Sequence, residues 1–406
     1  MVKMTELNFL LIADTPEDLQ PLRTLLEPFE REVPLSIKLQ RVGWERAWQT
    51  LLMDAVEGKG PHVSQIGSTW SATMAMLDAL RVLSEQEVAS MGRADQFLPA
   101  AWETAVLEKR PGIWAIPWSI YTFVLFYRKD LLERAHIDPA EAFTSPEVMR
   151  ETFASLKKKG FTPWAFPSLH SYADLVHIAS AWARANGGDF MSADGRMPLF
   201  ANPEVSHGLA QFFELFPFMP SSLRGLSMEA CTQAFARGET ATLIGGVEIA
   251  DDLLNNPDTA PEARENLSMT TLPGVPWIGG DHLVIWKNVR TDPQIEKSSL
   301  ALLRYLSSKE TQVRYFQLEN ILPARLDAYP EITFSLESTA TTVKQVLEKG
   351  RPHPPIRLWR RIEAFLDEML ANIGNTVMRQ SAEPPAEIAE RMLGEYEQKL
   401  TRLLKG

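Results

Sequence analysis

Residues 112–131 read GIWAIPWSIYTFVLFYRKDL, and this stretch decides the expected fold. Two apolar runs of β-type residues, Ile113–Ile116 and Tyr121–Tyr127, lie on either side of Pro117. Because proline cannot donate a hydrogen bond within a sheet, the pattern predicts a strand that is interrupted and crosses between two places in the fold. The charged segment Arg128–Asp130 ends the second run and leads into a predicted helix.

The composition indicates a globular protein with more than one domain. The chain has 406 residues, of which 45% are hydrophobic and 23% charged, and this length predicts two or three domains or two large lobes. A formal net charge of −11 argues against binding to nucleic acid or to an anionic membrane surface. The single cysteine, Cys231, has a helical context that predicts a small buried residue rather than a disulfide partner.

The N-terminus bears on where the protein works. Residues 7–12 read as a strand, and this apolar run is too short for the core of a secretory signal and has no small-residue cleavage site. Two locations therefore stay open: the cytoplasm, or the periplasm or cell surface if an export segment is missing from this sequence.

The order of the predicted elements indicates an α/β fold. Strands and helices alternate through the first 70 residues, which predicts a mostly parallel sheet with helices on its faces. Ligands bind at the carboxyl ends of the strands in such sheets, and here these ends carry Asp14 and Trp70. A second α/β pattern follows from about residue 130 to 245, and the last ~50 residues predict two amphipathic helices.

Four segments, in this order, carry a resemblance to a known family. They are Gly112–Pro117 with Tyr127–Leu131, Phe235–Ala241 with Ile244–Gly246, Leu272–Gly274 with Gly279–Gly280, and Tyr305–Gln312 with Leu322–Ala324. Together they resemble the extracellular solute-binding proteins of carbohydrate ABC transporters, the group that includes maltose-binding protein. The similarity covers nearly the whole chain.

The resemblance implies two discontinuous α/β lobes, each a mostly parallel sheet flanked by helices, with a ligand held between them by hinge closure. The expected N-terminal lobe comprises residues 1–116 and 273–312, and the C-terminal lobe comprises residues 117–272 and 313–406. The expected hinge crossings lie near 113–121 and 268–274. The implied function is the substrate-binding component of an importer, with a sugar or oligosaccharide as ligand and the transporter's permease subunits as partners. We expect a monomer without cofactor or metal.

The candidate site follows from the chemistry of sugars. A sugar presents C–H faces that stack on aromatic rings and hydroxyls that need polar partners, and the chain has 11 tryptophans. Together with the family resemblance, this gives the candidate ligand-binding residues Asp14, Trp44, Trp70, Trp118, Tyr121, His170, Tyr172, Gly246, Glu248, Trp277, Gly280, Asp281 and Trp359.

For several candidates a structural role stays open. Asp14 either accepts hydrogen bonds from sugar hydroxyls or caps the first helix, and the loop around Gly280 is either a ligand contact or a plain turn. Four other tryptophans are predicted to pack in cores: Trp48, Trp102, Trp114 and Trp182. Tyr121 and Glu248 depart from the residues that many relatives carry at these places, which argues against a maltodextrin-like ligand.

Two other functions compete with this one, an enzyme and a cytoplasmic ligand sensor. The sequence has no P-loop, G-x-S-x-G elbow, H-E-x-x-H motif or Cys/His zinc spacing, so we expect no catalytic residues. It leaves open a pair of glycosidase-type carboxylates. A cytoplasmic ligand sensor built on the same fold is the third interpretation.

Overall fold

The structure is a computed structural model that describes residues 5–107, 110–167, 174–379 and 382–405. The strands are β1 (Thr5–Ile12), β2 (Leu35–Val42), β3 (Val63–Gly67), β4 (Val106–Leu107), β5 (Arg110–Ile113), β6 (Ala115–Pro117), β7 (Ser119–Ile120), β8 (Phe123–Arg128), β9 (Thr242–Gly246), β10 (Leu267–Thr271), β11 (Asp281–Ile285) and β12 (Leu322–Pro323).

The helices are α1 (Gln20–Glu32), α2 (Trp44–Glu57), α3 (Ser71–Met76), α4 (Glu85–Met91), α5 (Pro99–Ala105), α6 (Lys129–Arg134), α7 (Pro146–Lys158), α8 (Asp174–Ala183), α9 (Pro203–Phe213), α10 (Met228–Ala236), α11 (Ile249–Asn255), α12 (Pro261–Glu265), α13 (Pro293–Leu306), α14 (Lys309–Glu319), α15 (Glu337–Lys349), α16 (Trp359–Arg379) and α17 (Pro385–Lys405). None of the helices in the described part of the chain is both long and apolar enough to span a membrane.

The described residues form two compact units. The first comprises those up to Tyr121, with Ile278–Thr333 and Pro352–Arg360. The second comprises those of Thr122–Trp277, of Phe334–Arg351 and from Arg361 onward.

The stretch at residues 112–131 contributes strands to both units. It forms β6 and β7 in the first unit, passes to the second unit between Tyr121 and Thr122, and becomes β8, in which all six residues are buried.

The units differ from the expected lobes mainly at residues 313–333 and 352–360, which belong to the first unit. The contacts explain this difference. Strand β12 pairs with β7, helix α14 packs against α1, and the Thr73 hydroxyl donates a 2.7 Å hydrogen bond to the carbonyl oxygen of Arg357.

The first unit is built on a five-stranded sheet with the order β2-β1-β3-β11-β6. Strand β1 runs parallel to β2 and β3, whereas β11 is antiparallel to β3 and β6. The three parallel strands come from the β-α-β-α-β pattern that the sequence predicted. Their carboxyl ends therefore lie at one edge of the sheet.

The second unit has a three-stranded sheet with the order β10-β8-β9, and both pairings are antiparallel. The prediction of a mostly parallel sheet in each lobe is therefore wrong for this unit and only half right for the first. The reason is that a fully buried strand reads as a continuous apolar run, which carries no information about strand direction.

Tertiary packing confirms several single-residue predictions. Trp114 and Trp182 are 2% and 0% exposed, as expected for core residues, while Trp48 and Trp102 are half-buried. Cys231 is buried in α10, and burial raises the pKa of its thiol to about 12. A thiol with such a pKa stays protonated and unreactive at neutral pH.

Candidate functional site

The carboxyl edge of the parallel strands in the first unit brings three predicted residues together. Asp14 follows β1, Trp44 begins α2 directly after β2, and Trp70 follows β3. The Asp14 carboxylate accepts a 3.0 Å hydrogen bond from the backbone N–H of Trp44. Asp14 thus caps a helix, as one alternative proposed, but the helix is α2 rather than the first.

The aromatic rings at this edge form a cluster. Trp70 meets Trp44 edge-on with ring centroids 5.8 Å apart, and it meets Trp48 in the same way at 5.6 Å. Trp70 is 7% exposed and belongs to the core, whereas Trp44 is 38% exposed. Trp44 therefore presents the accessible ring of the cluster.

Arg41, which was not among the predicted site residues, completes this edge. Its Nη1 donates hydrogen bonds to the carbonyl oxygens of Ala13 at 3.0 Å and Asp14 at 2.6 Å. The guanidinium is exposed beside Asp14 and held at the end of β1. The signal available in the sequence was its position just after the predicted second strand. We call Asp14, Arg41, Trp44 and Trp70 the edge group.

A second set of side chains in the first unit surrounds the start of β11. Asp281 accepts a 3.0 Å hydrogen bond from the Ser119 hydroxyl, and its own backbone N–H donates to the same oxygen at 3.2 Å. Burial raises the pKa of Asp281 to about 6, although hydrogen bonds from Gln65 and Ser119 act in the opposite direction. Asp281 is thus a polar candidate that titrates close to neutral pH.

The next residue, His282, is buried and neutral. Its Nδ1 lies 2.7 Å from the Ser71 hydroxyl and its Nε2 lies 3.1 Å from the Thr104 hydroxyl, so both ring nitrogens have a partner. Burial lowers the pKa of this imidazole to about 4. Both hydroxyls can serve a neutral ring, which needs one acceptor and one donor.

Trp118 and Trp359, both candidates, are buried in the first unit. The Trp118 ring stacks on Tyr315 with centroids 4.8 Å apart and planes 7° apart, and Trp359 stacks on His353 at 4.3 Å. Trp118 is 2% exposed and Trp359 is 1% exposed. One face of each indole is therefore already covered by a ring, and a role in ligand contact stays a prediction for both.

Tyr121 and Gly280 lie at one backbone junction. Tyr121 and Gly279 exchange two backbone hydrogen bonds of 3.1 and 2.9 Å. Gly280 has a φ of +135°, and a Cβ on it would overlap the carbonyl oxygen of Ser119. The absence of a side chain here makes room for the chain's own backbone. Contact of Tyr121 or Gly280 with a ligand stays a prediction.

Three candidates lie in the second unit. The Glu248 carboxylate lies over Gly246, where a Cβ would overlap it, so this glycine makes room for the acid. Trp277 is 6% exposed and stacks face-on with His177. The remaining two candidates, His170 and Tyr172, lie outside the described residues. Within the described ranges, no three His, Cys, Asp or Glu side chains form a group that could hold a metal ion.

Comparison with known proteins places this architecture in a family. Residues 24–342 match the family described as bacterial extracellular solute-binding protein. No curated protein matches the chain significantly in sequence.

Solved structures share the fold over nearly the full length. The sugar-binding protein MalE from Xanthomonas citri has a TM-score of 0.81 at 21% identity, covering 99% of this chain and 98% of that one. T. maritima MalE3 bound to maltose has a TM-score of 0.80 at 18% identity, covering 98% and 100%. The GacH receptor of Streptomyces glaucescens, solved unliganded and with acarbose, has a TM-score of 0.78 at 19% identity, covering 98% and 99%.

These likenesses confirm the two-lobed fold that the sequence resemblance implied. The family match spans most of the chain, and it describes binding proteins rather than enzymes. The chain belongs to the bacterial extracellular solute-binding proteins.

Proposed function

We propose that this chain is the substrate-binding component of an ABC importer and that it binds a sugar or oligosaccharide outside the cytoplasm. The observation that carries the proposal is the edge group, where an exposed indole lies beside a carboxylate and a guanidinium. The structural relatives that bind maltose and acarbose support the ligand class.

The edge group has the chemistry that a pyranose needs. The exposed ring of Trp44 offers an apolar face for the sugar's C–H groups. The Asp14 carboxylate can accept hydrogen bonds from hydroxyls, and the Arg41 guanidinium can donate to them. Asp281 adds a second acceptor in the same unit. Hinge closure of the lobes around the ligand, which the family resemblance implies, stays a prediction.

The partners follow from this role. A binding component delivers its ligand to the permease subunits of the importer, and we propose that the chain does so as a monomer and without catalysis. The comparisons give no support to the alternative of a cytoplasmic sensor. The proposal would place the protein in the periplasm or at the cell surface.

A thermal-shift screen across mono- and oligosaccharides, with amino acids and short peptides as controls, tests the proposal. A ligand that binds only the folded state at a hundred times its dissociation constant stabilises the protein by about 2.7 kcal/mol. We expect at least one sugar, and none of the controls, to raise the melting temperature. Stabilisation by a control ligand and by no sugar would contradict the ligand class.

A further inference from the structure

Trp277 in the second unit has aromatic neighbours that restrict what it can do. Its ring lies parallel to the imidazole of His177, with centroids 3.7 Å apart and planes 6° apart. Phe123 lies further away, at 6.3 Å and 29°. An imidazole at this distance covers much of one face of the indole, so a ligand could not stack there without displacing it.

His177 is itself fixed from a second helix. It lies on α8, and its Nε2 is 3.5 Å from a carboxylate oxygen of Glu363 on α16. The side chains are only 8% and 1% exposed. A buried carboxylate beside one ring nitrogen orients the imidazole and sets which nitrogen carries the proton.

The backbone around Trp277 joins three separate parts of the chain. The Thr122 hydroxyl donates a 2.8 Å hydrogen bond to the carbonyl oxygen of Trp277. The backbone N–H of Arg351 donates to the carbonyl oxygen of Pro276 at 3.0 Å, and Trp277 forms a parallel bridge with Arg351. Arg184, almost fully buried, donates to the carbonyl oxygen of Arg351 at 2.8 Å.

At these three parts the chain enters or leaves the second unit. Thr122 is its first residue after one passage, and Trp277 and Arg351 are its last residues before two others. Three of the passages between the units therefore begin or end at residues that are bonded to one another. A change in the position of the Trp277 indole would therefore alter the backbone contacts at each of these passages.

We propose that His177 is a positioning residue: with Glu363 it holds the indole of Trp277, and through Trp277 it fixes the three segments by which the chain enters or leaves the second unit. The consequence for ligand binding rests on the proposed function, because hinge closure has to bend these segments. The positioning itself does not depend on any ligand. In this proposal the Trp277 indole holds the backbone segments in place, which is a different role from stacking on a ligand.

The test uses the full chain labelled with 5-fluorotryptophan, without sugar. The fluorine resonance of Trp277 is identified by its loss in Trp277→Phe. We expect His177→Ala to shift this resonance. It should also speed hydrogen exchange at the Arg351 amide by about tenfold or more, because the Trp277 segment to which Arg351 is bonded becomes less firmly held. His177→Phe keeps a flat ring against the indole and should restore slow exchange at Arg351.

His207→Ala, at an exposed histidine of α9, is the matched control and should change neither reading. Glu363→Gln should broaden or shift the Trp277 resonance, because the imidazole loses its carboxyl partner. The proposal is overturned if His177→Ala leaves both readings unchanged, or if exchange rises equally throughout the second unit. Should His177→Ala fail to fold, an unchanged Trp277 resonance in Glu363→Gln is the contradicting result. A failed sugar screen would leave these readings untouched.

Discussion

The two units carry their candidate tryptophans in different ways. In the first unit, Trp44 lies at a strand edge with 38% of its surface exposed, next to Asp14. In the second unit, Trp277 is 6% exposed, and His177 covers one face of its ring. The exposed area of the ring, rather than the residue type, therefore decides how well a tryptophan can serve as a stacking surface for a ligand.

The same criterion separates candidates within the first unit. Trp118 and Trp359 each stack on another ring, as Trp277 does, whereas Trp44 meets Trp70 only edge-on. A buried indole that stacks on another side chain contributes mainly to the stability of the fold, while an exposed indole can also contribute to ligand binding.

Truncation of the buried Trp277 side chain should destabilise the protein most. We expect Trp277→Ala to lower the free energy of unfolding by about 3–5 kcal/mol, the usual cost of removing a buried tryptophan. Trp44→Ala should cost only about 1 kcal/mol, because its ring is exposed and loses one edge contact. Denaturant titration of both variants measures the difference. Equal losses would remove the distinction between the two tryptophans.

Two adjacent residues of β11 should give opposite pH dependence. The pKa of Asp281 is raised to about 6, so its stabilising contribution is present below its ordinary pKa and is lost as pH rises through 6. The pKa of His282 is lowered to about 4, so its contribution is present above its ordinary pKa and is lost as pH falls through 4. Between these pH values the two effects oppose each other.

Single variants separate the two effects. Relative to the native chain, Asp281→Asn should gain about 2 kcal/mol of unfolding free energy as pH rises from 4 to 6. His282→Gln should instead lose about 2 kcal/mol relative to the native chain over the same range. Unfolding free energies measured at several pH values give both differences. Slopes of the same sign in the two variants would contradict the assignment.

The backbone junction at Gly280 predicts a smaller loss. A side chain at Gly280 meets the carbonyl oxygen of Ser119 in a backbone conformation that L residues rarely adopt. We expect Gly280→Ala to destabilise the protein by about 1–3 kcal/mol. Gly394→Ala is the matched control, since it lies within α17 with nothing near its Cβ position, and should stabilise by about 0.5–1 kcal/mol. Thermal unfolding compares the pair, and no loss in Gly280→Ala would show that the junction adapts.

The cap formed by Asp14 predicts the smallest loss of stability. Asp14→Ala removes the acceptor for the Trp44 backbone N–H and should cost about 1 kcal/mol. Asp14→Asn retains an acceptor oxygen and should cost less, while it removes the charge that a sugar hydroxyl would meet. If both variants unfold like the native chain, Asp14 contributes nothing as a cap.

The sequence predicted the family, the two-lobed fold and most element positions, because these depend on apolar periodicity and on four spaced segments. It also indicated Asp14 and Trp70 as candidates, since parallel strand ends meet at one edge. Trp44 was a candidate as the first residue of a predicted helix. The sequence missed Arg41, whose backbone acceptors become neighbours only when β1 and β2 pair.

Other features could not be predicted from the sequence for physical reasons. Strand direction in the second unit depends on where long connections return, which apolar runs do not encode. The stacking of His177 on Trp277 joins residues a hundred positions apart. Ring coverage is a tertiary property, so the candidate tryptophans looked alike in the sequence.

Calorimetric titration of the most stabilising sugar into the native chain and into Trp44→Ala tests whether the edge group binds the ligand. We expect Trp44→Ala to weaken binding about tenfold or more, a loss of about 1.4 kcal/mol or more, while the protein stays folded. Unchanged affinity in a folded Trp44→Ala variant would contradict the assignment of the edge group as the sugar site.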